Sequence, residues 1–166
     1  LLGDFAFALW DPRSQRLFCA RDIMGVRPFY FHRALGRMFA FASDSHALLA
    51  LSDVPPRIND GRVADALVGE LEGIDRTSTF YLDIERLPPA RTMIVEADAA
   101  LQEEYWRPRD TPPAQLPATD QAWIEAVRAS LDRAVQRRLR GLGVTGAMIS
   151  GGLDSSAVAA LAQRKL

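Results

Sequence analysis

The sequence has few of the residues that several common classes of protein need. It contains one cysteine, Cys19, in 166 residues, which excludes an intrachain disulfide and fits a reducing, cytoplasmic compartment. Its net charge of -1 gives no electrostatic argument for nucleic acid or an acidic membrane surface as a partner. No apolar run approaches the roughly 20 residues that cross a bilayer, and no signal peptide is evident. With 48% hydrophobic and 25% charged residues, the chain is predicted to be soluble and globular.

Histidine is also scarce. His32 and His46 are isolated in the sequence and lie near no cluster of cysteine or carboxylate residues. Protein metal sites are built from such clusters, so we propose no histidine metal site.

The most informative stretch lies near the end of the chain, at residues 144–156. Strand-forming apolar residues lead into Ser150-Gly151-Gly152, and a helix is predicted over residues 157–161. Glycine lets the backbone approach an anion closely, and the first amides of a helix have no internal partner. The helix dipole adds about half a positive charge at that end. This strand, turn and helix therefore predict a phosphate-binding loop.

The same residues have two other interpretations. The longer phosphate loop that ends in Gly-Lys-Ser/Thr is excluded, because no lysine follows the glycines. A plain strand-to-helix turn, with Asp154 or Ser155 as the helix N-cap, remains the alternative. We favour phosphate binding because the full seven-residue pattern stands between an apolar run and an alanine-rich helix.

An antiparallel meander is predicted at the start of the chain, with strands at residues 3–10, 16–20, 29–32 and 38–42. In the first strand, Phe5, Phe7 and Leu9 alternate with Ala6, Ala8 and Trp10, so both faces are apolar and cover on both sides is expected.

Two helices and a hairpin are predicted next. Ser43 is expected to cap a helix through residue 51, and Asn59 or Asp60 to begin another. Residues 91–96 and 101–106 are expected to pair as a hairpin.

Four of the 10 prolines fall in residues 107–118, which predicts a semi-rigid extended linker. This divides the chain into residues 1–106, the linker 107–118, and residues 119–166. After the linker, Asp120 is expected to cap a long helix. Five arginines lie in its later part, namely Arg128, Arg133, Arg137, Arg138 and Arg140. They form either a patch for phosphate or RNA or a solvated face, and we favour the solvated face.

Several motifs together resemble a known family. Gly-Asp-Phe-Ala-Phe-Ala at residues 3–8, then Ala-Arg-Asp-x-x-Gly-x-x-Pro-Phe-Tyr at 20–30, resembles the second half of a class II glutamine amidotransferase domain. Arg-Leu-Pro-Pro-Ala, Glu-Tyr-Trp and Ser-Gly-Gly-Leu-Asp-Ser-Ser follow in the order found in the glutamine-hydrolysing asparagine synthetases. The last motif also resembles the pyrophosphate loop of the wider ATP pyrophosphatase superfamily.

This resemblance implies a fold that is α+β and then α/β. The first part would be the C-terminal half of an αββα N-terminal-nucleophile sandwich. The second would be the start of an adenine-nucleotide α hydrolase-like, Rossmann-like domain.

The resemblance also implies a reaction. In such enzymes an N-terminal cysteine hydrolyses glutamine, and the ammonia passes to the second domain. There ATP converts aspartate to β-aspartyl-AMP, and ammonia displaces AMP to give asparagine. The parent protein would thus be a cytoplasmic carbon–nitrogen ligase of asparagine biosynthesis, with glutamine, aspartate and ATP as small-molecule substrates. Neither nucleic acid nor membrane is expected as a partner, and a homodimer is compatible with the resemblance.

Carried over by position, the ATP and pyrophosphate site comprises Met148, Ser150, Gly151, Gly152, Asp154 and Ser155. Asp154 would also face the Mg²⁺ that neutralises the phosphates.

The departures from the family pattern bear on activity. The family nucleophile is the first residue of the mature chain, whereas Cys19 lies within a predicted strand and is interpreted as buried and inert. The family's glutamine-binding and aspartate-binding residues are also absent. We therefore expect an internal fragment with no catalytic residue for glutamine hydrolysis, which neither hydrolyses glutamine nor makes asparagine. Arg21 and Asp22, beside Gly25, would either bind a substrate carboxylate or form a buried ion pair that fixes the loop, and we favour the ion pair.

Two alternatives to an asparagine synthetase stay open. One is an ATP-dependent amide-forming relative such as a lasso-peptide cyclase or a β-lactam synthetase. The other is a non-catalytic scaffold or binding domain with a vestigial loop.

Overall fold

Seven strands and two short helices form the first part of the chain. In the computed structural model, which describes residues 1, 3–71, 74–108, 116–139 and 143–166, they are β1 (Ala6–Asp11), β2 (Arg16–Arg21), β3 (Tyr30–Ala34), β4 (Met38–Ala42), α1 (Ser45–Leu49), α2 (Asp60–Leu67), β5 (Glu85–Arg86), β6 (Arg91–Val95) and β7 (Ala100–Glu104). The chain divides into the units Leu1–Arg109 and Asp110–Leu166.

The strands are distributed over two antiparallel sheets. One sheet has the order β1-β2-β6-β7 and the other β4-β3-β5. The predicted single meander is therefore wrong, although both of its hairpins and the β6–β7 hairpin form. The chain leaves the first sheet after Arg21 and enters the second at Tyr30, so β2 pairs with β6 instead of β3.

A hydrophobic core joins the two sheets. Cys19 and Met93 from the first sheet pack with Phe31 from the second, and all three side chains are fully buried. A second cluster lies on the other face of β3 and β4, where Tyr30 and Met38 pack near Leu48 of α1. Alternate residues of the second sheet thus serve the two clusters, as the period of two in a strand requires. This mixed arrangement of helices with antiparallel sheets confirms the predicted α+β class for this unit.

The expectation that β1 is covered on both faces is wrong. Leu9 and Trp10, which alternate between the two faces of this edge strand, are 60% and 55% exposed.

One helix cap of this unit differs from the sequence prediction by one residue. Asp44, and not Ser43, caps α1 by accepting the amide of His46. Asn59, one of the two residues predicted to begin α2, is its cap and accepts the amide of Arg62. Each capping oxygen satisfies one amide at the start of its helix.

The second unit contains α3 (Asp120–Arg138) and α4 (Leu153–Gln163). Thr119 caps α3 by accepting the amide of Ala122, so Asp120 is the first helical residue instead of the cap. Asp132 of α3 forms an ion pair with Lys165 at 3.1 Å.

The strand predicted before the glycine loop is not found among the described residues. Val144 is fully exposed, Met148 is 96% exposed and Ile149 is 61% exposed. An extended segment becomes a strand only beside another strand, and the described part of this unit offers none. The Rossmann-like part of the predicted fold therefore remains a prediction.

Some predictions lie outside the described residues. They include the linker at residues 109–115 and Arg140 of the arginine group. Among the described helices, none combines the length and the apolar character needed to span a membrane.

Candidate functional site

The predicted phosphate loop stands at the beginning of α4. Gly152 is the N-cap residue of this helix, and no side-chain hydrogen bond from the described residues caps its start. The alternative that Asp154 or Ser155 serves as N-cap is therefore wrong, because both lie inside the first turn. The first amides of a helix have no partner within the helix, and Asp154 lies in the same first turn.

The two serines of the motif close the loop. The Ser155 hydroxyl accepts a hydrogen bond from the Ser150 amide at 3.2 Å and donates to the Gly152 carbonyl at 3.3 Å. The Ser150 and Ser155 hydroxyl oxygens lie 3.0 Å apart. The structure thus brings Ser150, Gly152 and Ser155 together across the start of the helix.

Gly151 has a φ of +84°, a left-handed conformation that favours glycine. No heavy atom lies within 4 Å of the position that a Cβ would take there. A larger residue is thus disfavoured by backbone conformation and not by a neighbouring group. The sixth predicted site residue, Met148, has a side chain almost entirely in solvent.

The groups present at this loop fit a phosphate with a divalent cation. Backbone amides and the Ser150 and Ser155 hydroxyls are donors for phosphate oxygens. The Asp154 carboxylate is the type of hard oxygen ligand that Mg²⁺ prefers. Without a cation, this carboxylate would repel a phosphate at the same helix end.

Cys19 lies in the core of the first unit. Its side chain is fully buried in β2, and burial raises the pKa of its thiol to about 12. The thiolate is the nucleophilic form of cysteine, so a thiol in this environment is inert near neutral pH. This burial supports the interpretation of Cys19 as structural.

The loop after β2 is held by two charged side chains, but the predicted ion pair between them is wrong. Asp22 accepts the amides of Met24, Val26 and Arg27 at 3.1, 2.9 and 3.0 Å. Arg21 donates instead to the carbonyls of Arg27, Leu87 and Gly25, at 2.7, 2.6 and 2.7 Å. The loop turns backbone amides toward the Asp22 carboxylate and backbone carbonyls toward the Arg21 guanidinium. Each side chain therefore bonds to the backbone.

Asp22 is almost completely buried. Burial alone would raise the pKa of its carboxyl, but the hydrogen bonds from the amides of Arg27, Val26 and Met24 outweigh that effect, and the pKa lies below its ordinary value. The carboxylate is therefore charged at neutral pH and serves as a structural anchor for the loop.

One contact at this loop was missed by the sequence interpretation. The Tyr105 hydroxyl donates to the Arg21 carbonyl at 2.7 Å, which ties the end of the first unit to the loop. The Glu-Tyr-Trp motif marked Tyr105 in the sequence, but nothing local indicated its partner 84 residues away.

The histidines do not form a metal site among the described residues. His32 bonds through Nδ1 to the Asp83 carbonyl at 2.7 Å. His46 has one carboxylate as a neighbour, since its Nδ1 lies 3.1 Å from Oδ1 of Asp44, the cap of the same helix.

The arginines of α3 that the structure describes are Arg128, Arg133, Arg137 and Arg138, and all are exposed. Arg133 donates to Ser130 at 3.0 Å. Arg137 and Arg138 stand in the last turn, where the helix dipole favours cations.

Comparison with known proteins gives two family matches in one chain. Residues 1–106 match the glutamine amidotransferase domain family, and residues 126–166 match the asparagine synthase family. The whole predicted linker, residues 107–118, lies between the two matches.

The names of individual relatives also combine glutamine hydrolysis with asparagine synthesis. A protein of Mycobacterium tuberculosis, whose name assigns it provisionally to the glutamine-hydrolysing asparagine synthetases, is 33% identical over 169 residues. That alignment covers 99% of this chain and 26% of the relative. Glutamine-hydrolysing asparagine synthetase 3 of Bacillus subtilis is 31% identical, over 98% of this chain and 26% of the relative.

The chain thus spans about a quarter of the length of these relatives. The family match over the first 106 residues covers most of the chain, and these residues form the antiparallel sheets described above. The chain therefore belongs to the glutamine amidotransferase domain family, and its C-terminal residues match asparagine synthase.

Proposed function

We propose that this chain is part of an ATP-dependent, glutamine-hydrolysing asparagine synthetase. The observation that carries the proposal is the uncapped start of α4, preceded by Ser-Gly-Gly and carrying Asp154 in its first turn. The order of the two family matches supports it, since it joins an amidotransferase domain to a segment of asparagine synthase type.

Within this proposal, the α4 loop holds the phosphates of ATP. The amides at the helix start and the Ser150 and Ser155 hydroxyls bind phosphate oxygens, and Gly151 turns the backbone without adding a side chain. Asp154 would hold the Mg²⁺ that accompanies the phosphates. When bound, ATP supplies activation of the acceptor carboxylate. Exposed Met148 is free to cover the nucleotide.

The hydroxyl contacts of the loop also have a part in this proposal. The Ser150 amide donates to the Ser155 hydroxyl. A phosphate oxygen at the loop would take over that amide, so Ser155 exchanges one hydrogen bond for another. The exchange keeps the number of bonds nearly constant, and the loop needs little reorganisation to bind.

The remaining roles follow the same proposal. The parent protein takes glutamine as its amido donor and aspartate as its acceptor, acts in the cytoplasm, and forms asparagine. Because the one cysteine of the chain, Cys19, is buried in the core, it is not assigned a part in glutamine hydrolysis within this proposal.

The test is Mg²⁺-dependent ATP binding by the protein that carries this chain. Asp154→Asn is expected to weaken Mg·ATP binding about tenfold or more, because it removes a cation ligand. Asp120→Asn is the matched control, since Asp120 also stands in the first turn of a helix but outside the motif. Equal Mg·ATP affinity in all three proteins, or ATP binding that does not depend on Mg²⁺, would contradict the assigned site. Isothermal titration calorimetry measures both.

A further inference from the structure

A cleft of about 440 Å³ opens between the two sheets of the first unit. One wall is formed by Trp10, Leu17 and Val95 of the first sheet, and the other by the β3–β4 hairpin. Leu17 and Phe39 pack against the main core, so the cleft has an apolar floor that continues from it. This volume lies within the range of small-molecule sites.

The two walls are tied together across the turns. The Gly36 amide donates to the Ala97 carbonyl at 2.8 Å, which joins the β3–β4 turn to the β6–β7 turn. Because this bond fixes the spacing of the walls, a ligand would meet a cleft that is already formed. Preformed sites lose little affinity to ordering.

Charged groups of both signs line the same cleft. Arg33 and Arg37 lie on the hairpin wall, and Glu96 lies on the opposite wall. Each of these groups already has an exposed ion pair. Arg33 pairs with Glu85 at 3.3 Å, Arg37 pairs with Asp53 at 3.8 Å, and Glu96 pairs with Arg16. Exposed pairs of this kind are weak, and each guanidinium has five donors, so these groups retain capacity for a further partner.

Large apolar side chains complete the rim. Trp10 and Leu35 line the cleft and are 55% and 54% exposed. An exposed tryptophan beside an apolar floor offers a ring that a ligand can cover.

We propose that this cleft binds an α-amino acid with a large apolar side chain. The carboxylate lies against Arg33 and Arg37, the ammonium group against Glu96, and the side chain over the floor beside Trp10. A zwitterion matches a lining with both signs of charge, whereas a simple acid or amine satisfies only one wall. This site shares no residue with the α4 loop and does not depend on the proposed synthetase reaction.

The test is a nuclear magnetic resonance titration of the chain with L-phenylalanine as the probe. We expect saturable shifts of the Trp10 indole N–H and the Gly36 amide, with a dissociation constant of about 1 mM. 3-Phenylpropionate, which lacks the ammonium group, and phenethylamine, which lacks the carboxylate, should each bind at least about fivefold more weakly. Equal binding of all three compounds, or no saturable shift, overturns the proposal.

Two variants test which residues bind the carboxylate and the ammonium group of the ligand. Arg33→Met and Glu96→Gln should each weaken L-phenylalanine binding about fivefold or more, whereas Arg57→Met should not. Arg57 is a matched control, because it is an exposed arginine paired with Asp83 outside the cleft. Unchanged affinity in both cleft variants overturns the assignment. Should either variant fail to fold by circular dichroism, the shift map and the two analogues on the unaltered chain decide.

Discussion

Single residues in this protein owe their chemistry to what surrounds them. Cys19 stands between Ala8 and Met93 in the register of the first sheet, and its thiol has no exposure to solvent. Asp22 is equally buried but charged, because three amides converge on its carboxylate. Burial thus suppresses ionisation in one residue, and hydrogen bonds maintain it in the other.

Cys19 is predicted to be unreactive in the folded chain. The folded chain should react with a thiol reagent only through unfolding near neutral pH, since its thiol pKa is raised to about 12. Cys19→Ala should leave any glutamine hydrolysis unchanged and cost about 1 kcal/mol of stability from lost core packing. An ammonia-release assay and a thiol titration with and without denaturant measure these effects. Glutamine turnover that is abolished by Cys19→Ala would contradict the structural role.

For Asp22, substitution by asparagine should destabilise the fold by about 2 kcal/mol, because an amide NH₂ would face a backbone amide that now donates to a carboxylate oxygen. Asp98→Asn, in an exposed turn, is the control and should have little effect. Chemical denaturation of both variants measures the difference.

The Asp22 effect should also depend on pH with a definite sign. The folded-state pKa lies below the ordinary value of 3.8, so the carboxylate contributes its full stability above that value. This contribution is lost as pH falls through the folded-state pKa. The stability difference between the unaltered chain and Asp22→Asn should therefore be constant near neutral pH and shrink only in acid. A difference that shrinks between pH 6 and 8 would rule out this carboxylate as its source.

At the scale of elements, the loop between β2 and β3 decides how the two hairpins are distributed. Asp22 and Arg21 hold its backbone, and Pro89 packs directly on Gly25 from the turn before β6. The loop that carries the chain from the first sheet to the second is therefore also packed against Pro89, which is distant in sequence.

Gly25→Ala tests that packing. Gly25 has a φ of +65°, and an added Cβ would lie 2.7 Å from Cγ of Pro89, a ring that cannot swing aside. Gly36 has a similar φ of +71° but open space around it. Gly36→Ala should cost about 1 kcal/mol from backbone strain alone, and Gly25→Ala at least about 1 kcal/mol more. Equal losses in thermal denaturation would show that the loop yields to the methyl group.

At the scale of the whole molecule, the two units differ in how much they bury. The first unit contains two hydrophobic clusters with residues from both sheets and α1. In the described part of the second unit, Val135 and Ala162 are the buried hydrophobic residues, whereas Trp123 and Val127 are 44% and 62% exposed. Helices are stabilised mainly by packing of an apolar face, so the described part of the second unit has little tertiary packing to stabilise its helices.

This contrast predicts different behaviour for the separated units. A peptide of residues 1–108 should unfold cooperatively on heating, whereas a peptide of residues 119–166 should show partial helicity that declines without a sharp transition. Circular dichroism against temperature distinguishes the two. A cooperative transition in the shorter peptide, or its absence in the longer one, would contradict the assignment of the core.

Local features were predictable from the sequence alone. The β3–β4 hairpin, the start of α2 at Asn59 or Asp60 and the β6–β7 hairpin were expected and are present. The family was also recognisable, because its motifs are short runs of specific residues in a fixed order. These features depend on neighbours within a few residues, and those neighbours are visible in the sequence.

Other features were decided only by tertiary structure. The sequence could not assign the hairpins to different sheets, expose β1 at an edge, or give Arg21 a carbonyl 66 residues away. It also predicted a strand at residues 144–149 that the described residues do not form. Strand pairing and burial depend on which distant segments meet, and a period-two pattern indicates the faces of a strand but not its neighbours.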